Sequence, residues 1–239
     1  MSKRTALIVG GTSGIGLATA RLLYARGAQV HIVGRNSERI GAVAASDPAL
    51  IGHQADGADQ AQIRALADTI GTIDWLIVAL SGGEGMGPIA SLDLQVLRRA
   101  FDAKFWGHIS TITAALPYLA ADGSITLLSA ITARTAMPGT AGLAAINGAV
   151  EAMIKPLAAE LAPIRVNGIS PGFVDTPWWD AMPAPDKDAY FSHAAKQLPI
   201  RRIATAEDVA EAVVLAATNP NLTGTIIETD GGVRLVSLS

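Results

Sequence analysis

Ala6-Leu7-Ile8-Val9-Gly10-Gly11-Thr12-Ser13-Gly14-Ile15-Gly16-Leu17 is the stretch that decides the fold. Four apolar residues predict a short strand, and the glycines that follow predict a sharp turn into a helix. Glycines at 10, 14 and 16 let a diphosphate come close to the main chain. The helix that starts at Gly14 presents free N–H groups and the positive end of its dipole to such a group. A nucleotide phosphate loop shares the spacing from Gly11 to Gly16, but it requires a lysine where Leu17 stands. The turn therefore reads as a dinucleotide site, with Gly10, Thr12, Ser13, Gly14, Ile15 and Gly16 as contacts.

Outward from that turn, short β-rich runs alternate with helical patterns. Strands are predicted over residues 5–9, 28–33, 50–54, 73–79, 123–128, 164–169 and 225–228. Helices are predicted over 14–26, 37–45, 59–70, 92–120, 140–161 and 205–218. This alternation predicts an α/β fold: one domain, residues 1–239, with a doubly wound parallel sheet of the Rossmann type and seven strands. Ligands of such sheets sit beyond the carboxyl ends of the strands. Residues 171–199 break the rhythm with five prolines (171, 177, 183, 185 and 199) and the aromatic residues Trp178, Trp179, Tyr190 and Phe191. That density predicts an excursion near 172–199 rather than a core element, serving either as a substrate lid or as an oligomer contact.

Composition narrows the function. Half of the residues are hydrophobic, 16% are charged and the net charge is −3. A large core is available, and nucleic acid is not an expected partner because phosphate neutralisation needs clustered basic residues. Cysteine is absent, so thiolate metal sites and a cysteine nucleophile are excluded. His31, His53, His108 and His193 show no metal-ligand spacing, and no metal is expected. The apolar run at 6–9 is too short for a signal peptide or a membrane span, so a cytoplasmic protein acting on a small molecule is expected.

The second strand runs into Val33-Gly34-Arg35-Asn36-Ser37. An acidic residue about twenty positions past the glycines would bind the ribose 2′-hydroxyl of NAD. Arg35 stands there instead, and a guanidinium grips a 2′-phosphate through charge-assisted bonds. NADP(H), with NADPH preferred over NAD, is the expected cofactor. Asn36 and Ser37 are placed to add contacts. Asp56, past the third strand, reads either as an acceptor for the adenine amine or as a loop carboxylate.

With these residues in place the chain resembles the short-chain dehydrogenase/reductase superfamily. The resemblance rests on Gly10, Gly14 and Gly16, on Arg165-Val166-Asn167 with Pro171-Gly172, and on Asp175-Thr176. Glu207-Asp208-Val209-Ala210 and the run from Thr223-Gly224 to Asp230-Gly231-Gly232 complete it. It implies a seven-stranded sheet and a homodimer or homotetramer built on the two longest helices. It also implies that Ser81, Pro171, Gly172, Val174 and Thr176 lie on the cofactor.

The catalytic positions depart from the family pattern. The usual Asn-Ser-Tyr-Lys tetrad falls on Lys104, on Ala130 (or Ser129 one register away), on Leu143 and on Asn147. Leucine carries no proton to donate. Lys104 and Asn147 each sit in an apolar helical stripe, where a polar group needs a partner. One reading makes Lys104 the general acid, its pKa lowered by burial, with Asn147 as its hydrogen-bond partner. The other makes the pair a simple helix tie. Ser129, Thr132, Arg134, Glu84, His108 and His193 are further candidates, with Arg134 suited to a carboxylate. Three functions stay open: an atypical NADP(H)-dependent oxidoreductase for a small apolar carbonyl, enone or imine; a non-catalytic NADP(H) sensor or interaction protein; and a non-redox lyase or isomerase.

Overall fold

The computed structural model describes residues 3–81 and 83–236; Gly82 lies outside them. The elements in order are β1 (Thr5–Val9), α1 (Gly14–Ala25), β2 (Gln29–Gly34), α2 (Ser37–Ser46), β3 (Ile51–Gln54), α3 (Gln60–Ile70) and β4 (Ile73–Val78). They continue with α4 (Leu94–Phe101), a π-helical turn (Asp102–Trp106), α5 (Gly107–Ala115), β5 (Leu119–Leu128), α6 (Ala141–Glu160) and β6 (Arg165–Pro171). Next come β7 (Val174–Asp175), α7 (Ala184–Gln197), β8 (Ala204–Thr205), α8 (Ala206–Thr218) and β9 (Ile226–Thr229).

Seven strands form one parallel sheet in the order β3-β2-β1-β4-β5-β6-β9, and β7 and β8 pair as a small separate ladder. The central strands β1 and β4 are buried on both faces, which is why they read as nearly continuous apolar runs. In β1, Ala6 and Ile8 pack toward Leu23 of α1 and Val213 of α8, while Leu7 and Val9 pack toward Ile63 of α3, Ile112 of α5 and Ile154 of α6. Successive side chains of a strand point to opposite faces, so one strand serves both cores. The chain reverses direction across the sheet between β1 and β4. Beyond their carboxyl ends lies the crevice where such sheets take ligands.

Two expectations are corrected. The helix expected over 92–120 is three helical pieces, α4, the π turn and α5, and the chain is already in β5 at Leu119. Pro117, which has no N–H to continue the ladder, sits in the short 3₁₀ turn that separates α5 from β5. The excursion at 172–199 is not irregular throughout, because its second half is α7. Pro183 is the N-cap of that helix and Pro185 lies in its first turn, where a missing N–H costs nothing. Among the described residues no helix is long and apolar enough to cross a membrane.

The sheet also joins two histidines that lie 22 positions apart in sequence. His31 Nδ1 and His53 Nε2 are 2.9 Å apart across β2 and β3, and the rings stack. Burial lowers both pKa values, His31 to about 4, with the neighbouring ring adding to the effect at His31. Burial also lowers His108, wholly enclosed, to about 4. Each binds its proton more weakly folded than unfolded. The stability they contribute is complete above pH 6.5, the unfolded value, and is lost as pH falls toward 4. Unfolding free energy is therefore expected to drop by at least about 2 kcal/mol across that window. His31→Asn, whose amide keeps a polar partner for His53, should reduce the slope. Urea midpoints that stay flat from pH 6.5 to 4 would contradict it.

Candidate active site

A cleft of about 540 Å³ opens at the carboxyl ends of β1, β4, β5 and β6. Its nucleotide end is made by the glycine turn. Gly10 has φ +87°, and a Cβ there would lie 2.5 Å from the carbonyl oxygen of Ala79. A Cβ on Gly16 would lie 2.1 Å from the carbonyl oxygen of Gly10. Gly14, at φ +51°, faces the Thr176 side chain. The turn is held from below by the N–H groups of Gly10 and Gly11, which donate to the Val33 carbonyl at 2.9 and 3.1 Å. Ser13, the N-cap of α1, makes no side-chain cap bond, and the first turn of α1 carries no acidic residue. Unpaired N–H groups at a helix start, bare backbone and no competing carboxylate suit a diphosphate.

Gly10, Ser13, Gly14, Ile15, Gly16, Ser81, Pro171, Gly172, Val174 and Thr176 all line this cleft. Thr12, Arg35, Asn36 and Asp56 lie outside its wall. Thr12 packs on Gly34 and borders a smaller recess of about 310 Å³ alongside. Arg35 is exposed just past β2. Asn36 caps α2 by accepting from the Arg39 N–H at 2.9 Å, and one Asp56 carboxylate oxygen accepts from the Ala58 N–H. The sequence reading missed Arg39. It lies one turn into α2 and lines both the cleft and the recess, so it presents a second guanidinium beside Ser13.

The chemical end of the cleft gathers Lys104, Ser129, Ala130, Leu143 and Asn147. Lys104 sits within the π turn, and its Nζ donates to the Ser129 carbonyl at 3.2 Å. Burial pulls its pKa down to about 8, with the Glu151 carboxylate working in the opposite direction. The expected Lys104–Asn147 hydrogen bond is not formed. Asn147 Nδ2 donates to Thr132 Oγ1 and to the Leu143 carbonyl, each at 2.9 Å, and its buried Oδ1 has no partner. The two side chains share the cleft but are held by different groups, because a main-chain carbonyl offers the ammonium a fixed acceptor and the helix turn claims the amide.

The Ser129 hydroxyl donates to Glu151 Oε1 at 2.7 Å. Arg134 is not available for a substrate carboxylate. It pairs with Glu151 at 2.9 Å and with Glu228, which also meets Arg234 at 2.6 Å. Glu84 lines the cleft and pairs with Arg99 at 3.2 Å. His108 Nδ1 donates to the Lys104 carbonyl at 2.7 Å within the core, and His193 lies on α7 beside Gln197. Trp178, Trp179 and Tyr190 form the outer wall, and Phe191 supports it by packing edge-on against Trp179. Among the described residues no group of three His, Asp or Glu side chains is placed to hold a metal ion.

Comparison with known proteins places the chain in a family. The family model described as enoyl-(acyl carrier protein) reductase matches residues 9–234. Cis-4-hydroxycyclohexanecarboxylate dehydrogenase of Sinomonas cyclohexanicum is 33% identical, with 98% of each chain covered. The crystal structure of a small-chain dehydrogenase in complex with NADPH is 36% identical at a TM-score of 0.83, covering 98% of this chain and 100% of that one. An NADPH-bound short-chain oxidoreductase from Pseudomonas aeruginosa PAO1, described as containing an atypical catalytic center, is 28% identical at a TM-score of 0.87, with 96% of each chain covered. The chain belongs to the short-chain dehydrogenase/reductase superfamily.

The turn geometry sets a direct test. Gly10→Ala forces both an unfavourable φ and a clash with the Ala79 carbonyl, so it should cost about 1–3 kcal/mol of stability. A thermal midpoint equal to that of the parent protein would show that the turn is looser than described.

Proposed function

We propose that this protein is an NADP(H)-dependent oxidoreductase in which Lys104 delivers the proton. One observation carries the reading: a buried lysine, with its Nζ on the Ser129 carbonyl, lines the same cleft as the glycine turn and the Pro171–Gly172–Thr176 segment. Gly10 and residues 13–16 would hold the diphosphate. Arg35 and Arg39 would hold the 2′-phosphate, with Thr12, Asn36 and Asp56 at the adenosine end. Ser81, Pro171, Gly172, Val174 and Thr176 would border the nicotinamide. When bound, the dihydronicotinamide supplies a hydride. The NADPH complexes among the solved relatives support this choice of cofactor.

The residues of this chain supply the rest. By the family resemblance, tyrosine and serine are replaced at the reacting centre by Leu143 and Ala130, which neither donate nor accept a proton. Lys104 provides the cation that attracts the oxygen of the acceptor as negative charge develops on it, and then the proton that quenches it. The Ser129 carbonyl fixes the direction of Nζ. The orphan Asn147 Oδ1 is the acceptor for a hydroxyl of the cofactor ribose or the substrate, since a buried oxygen without a partner is costly. The apolar walls from Leu143, Ile146, Met137 and Trp179 fit a small apolar carbonyl, enone or imine. Trp106, exposed on the face formed by α4, the π turn and α5, marks where two copies of the chain would pair.

NADPH should bind more tightly than NADH. Replacing both Arg35 and Arg39 by alanine should weaken NADPH at least about tenfold while leaving NADH unchanged. Calorimetric titration measures this, and equal losses for both nucleotides would defeat the phosphate role.

Lys104→Met should lower kcat/KM for reduction about 10²–10⁴-fold with NADPH affinity preserved. In the parent protein kcat/KM should hold below pH 8 and fall above it, as the ammonium loses its proton near its lowered pKa of about 8. Undiminished turnover of Lys104→Met would remove the lysine from the chemistry. Tight NADPH binding without turnover of ketones, enones, quinones or imines would replace the enzyme with a nucleotide sensor.

A further inference from the structure

Behind Lys104 lies a chain of polar contacts that the proposed reaction does not itself use. Ser129 follows β5 directly, with its N–H bonded to the Ile169 carbonyl at 2.9 Å. Its carbonyl receives Lys104 Nζ, and its hydroxyl is bound to Glu151 Oε1 on α6 at 2.7 Å, with the Ile169 carbonyl a longer second acceptor at 3.1 Å. Glu151 Oε2 accepts from Arg134 Nε at 2.9 Å. Arg134 continues to Glu228 on β9, and Arg234 joins Glu228 to Asp230. Ser129 and Asp230 are buried, and the Glu151 side chain is 10% exposed.

The contacts have a register. Glu151 lies four residues after Asn147, one helical turn along the same face of α6. Asn147 reaches Thr132 and Glu151 reaches Arg134, so two rungs fasten α6 to the turn that follows β5. The peptide that receives the Lys104 ammonium sits at the start of that turn. Both rungs brace the segment that begins with the acceptor carbonyl.

We propose that Glu151 is the positioning residue for Lys104: it clamps Ser129 so that the Ser129 carbonyl meets the ammonium, and Arg134 sets how much negative charge Glu151 presents to it. The inference rests on Lys104 acting in the cleft. The charged and titratable groups around Lys104 come from every neighbouring element. His108 lies on its own helical segment, Glu151 on α6, Arg134 after β5, and Glu84, already paired with Arg99, after β4. Arg39 lies across the cleft on α2. Of these, Glu151 is the anion that holds the protonated lysine against the penalty of burial. Arg134 and Glu151 therefore have opposite effects on Lys104 although they hold the same turn.

That opposition separates positioning from mere structure. In Glu151→Gln the hydroxyl of Ser129 keeps an acceptor but the anion is gone. In Arg134→Met the anion loses its nearest cation. Trace acetylation of the purified full-length protein between pH 6 and 11, read peptide by peptide by mass spectrometry, follows the Lys104 amine without requiring turnover. The midpoint for Lys104 should move down by about half a pH unit or more in Glu151→Gln and up by a similar amount in Arg134→Met. The kcat/KM pH profile should shift with the same signs.

Shifts of the same sign, or none in either variant, would overturn the assignment. Should Glu151→Gln fail to fold, the upward shift in Arg134→Met decides alone. Opposite shifts combined with full activity of Lys104→Met would uphold the positioning and reject the acid role, so the two readings fail separately. A Lys104 that never acetylates would place its amine outside the cleft and end both.

Discussion

An ammonium taken out of water is the cost around which this site is built. Burial of a lysine charge is repaid only by close acceptors and a nearby anion. The fold supplies both from outside the lysine's own helix, one just past a strand end and one from a neighbouring helix. The Ser129 carbonyl follows β5, and Glu151 reaches the same residue from α6. Between α4 and α5 the backbone changes to a π turn at Asp102–Trp106, and Lys104 is the residue of that turn that is buried. Such turns are a local loss of helical regularity, and they concentrate where a side chain must be aimed.

The nucleotide end follows a different logic. Its constraints are main chain against main chain: the missing Cβ of Gly10 faces the Ala79 carbonyl, and that of Gly16 faces the Gly10 carbonyl. None of those contacts involves residue 104, 130, 143 or 147. A turn made from backbone keeps its shape whatever stands at the chemical end. A chain can therefore carry the glycine seat of the superfamily and a different set of reacting groups in one cleft.

What the sequence revealed tracks what has a residue signature. The strands were legible because both-face burial leaves apolar runs, as in Ala6–Leu7–Ile8–Val9. The turn was legible because only glycine fits its close approaches. The π turn was not, since the apolar stripe from Leu97 to Ile112 continues through it without a break. Helix α7 was hidden by its own start signal, two prolines that looked like interruptions until their place in the first turn was known. The Lys104 acceptor was invisible because a main-chain carbonyl belongs to every residue. Arg39 escaped because attention to the position directly after β2 stops at Arg35, one helical turn too early. The His31–His53 pair is a product of sheet register, which brings His53 opposite Val33 on the neighbouring strand.

The proposed placement of Lys104 as the acid would change the character of that acid, not merely its address. A neutral hydroxyl acid meets a developing oxyanion with a hydrogen bond and becomes an anion once its proton is gone. For Lys104 in that role the order of charges is reversed. Its ammonium attracts the oxyanion before the proton moves, and transfer leaves a neutral amine. The apolar walls around Nζ favour that neutral amine: a pKa near 8 rather than 10.5 corresponds to about 3 kcal/mol. The same burial that makes the resting ammonium expensive therefore helps proton release, and Glu151 limits how far that bias goes. On the proposal, an acid held this way would need no tyrosine beside it, and Leu143 and Ala130 could line the cleft without leaving the chemistry unsupplied.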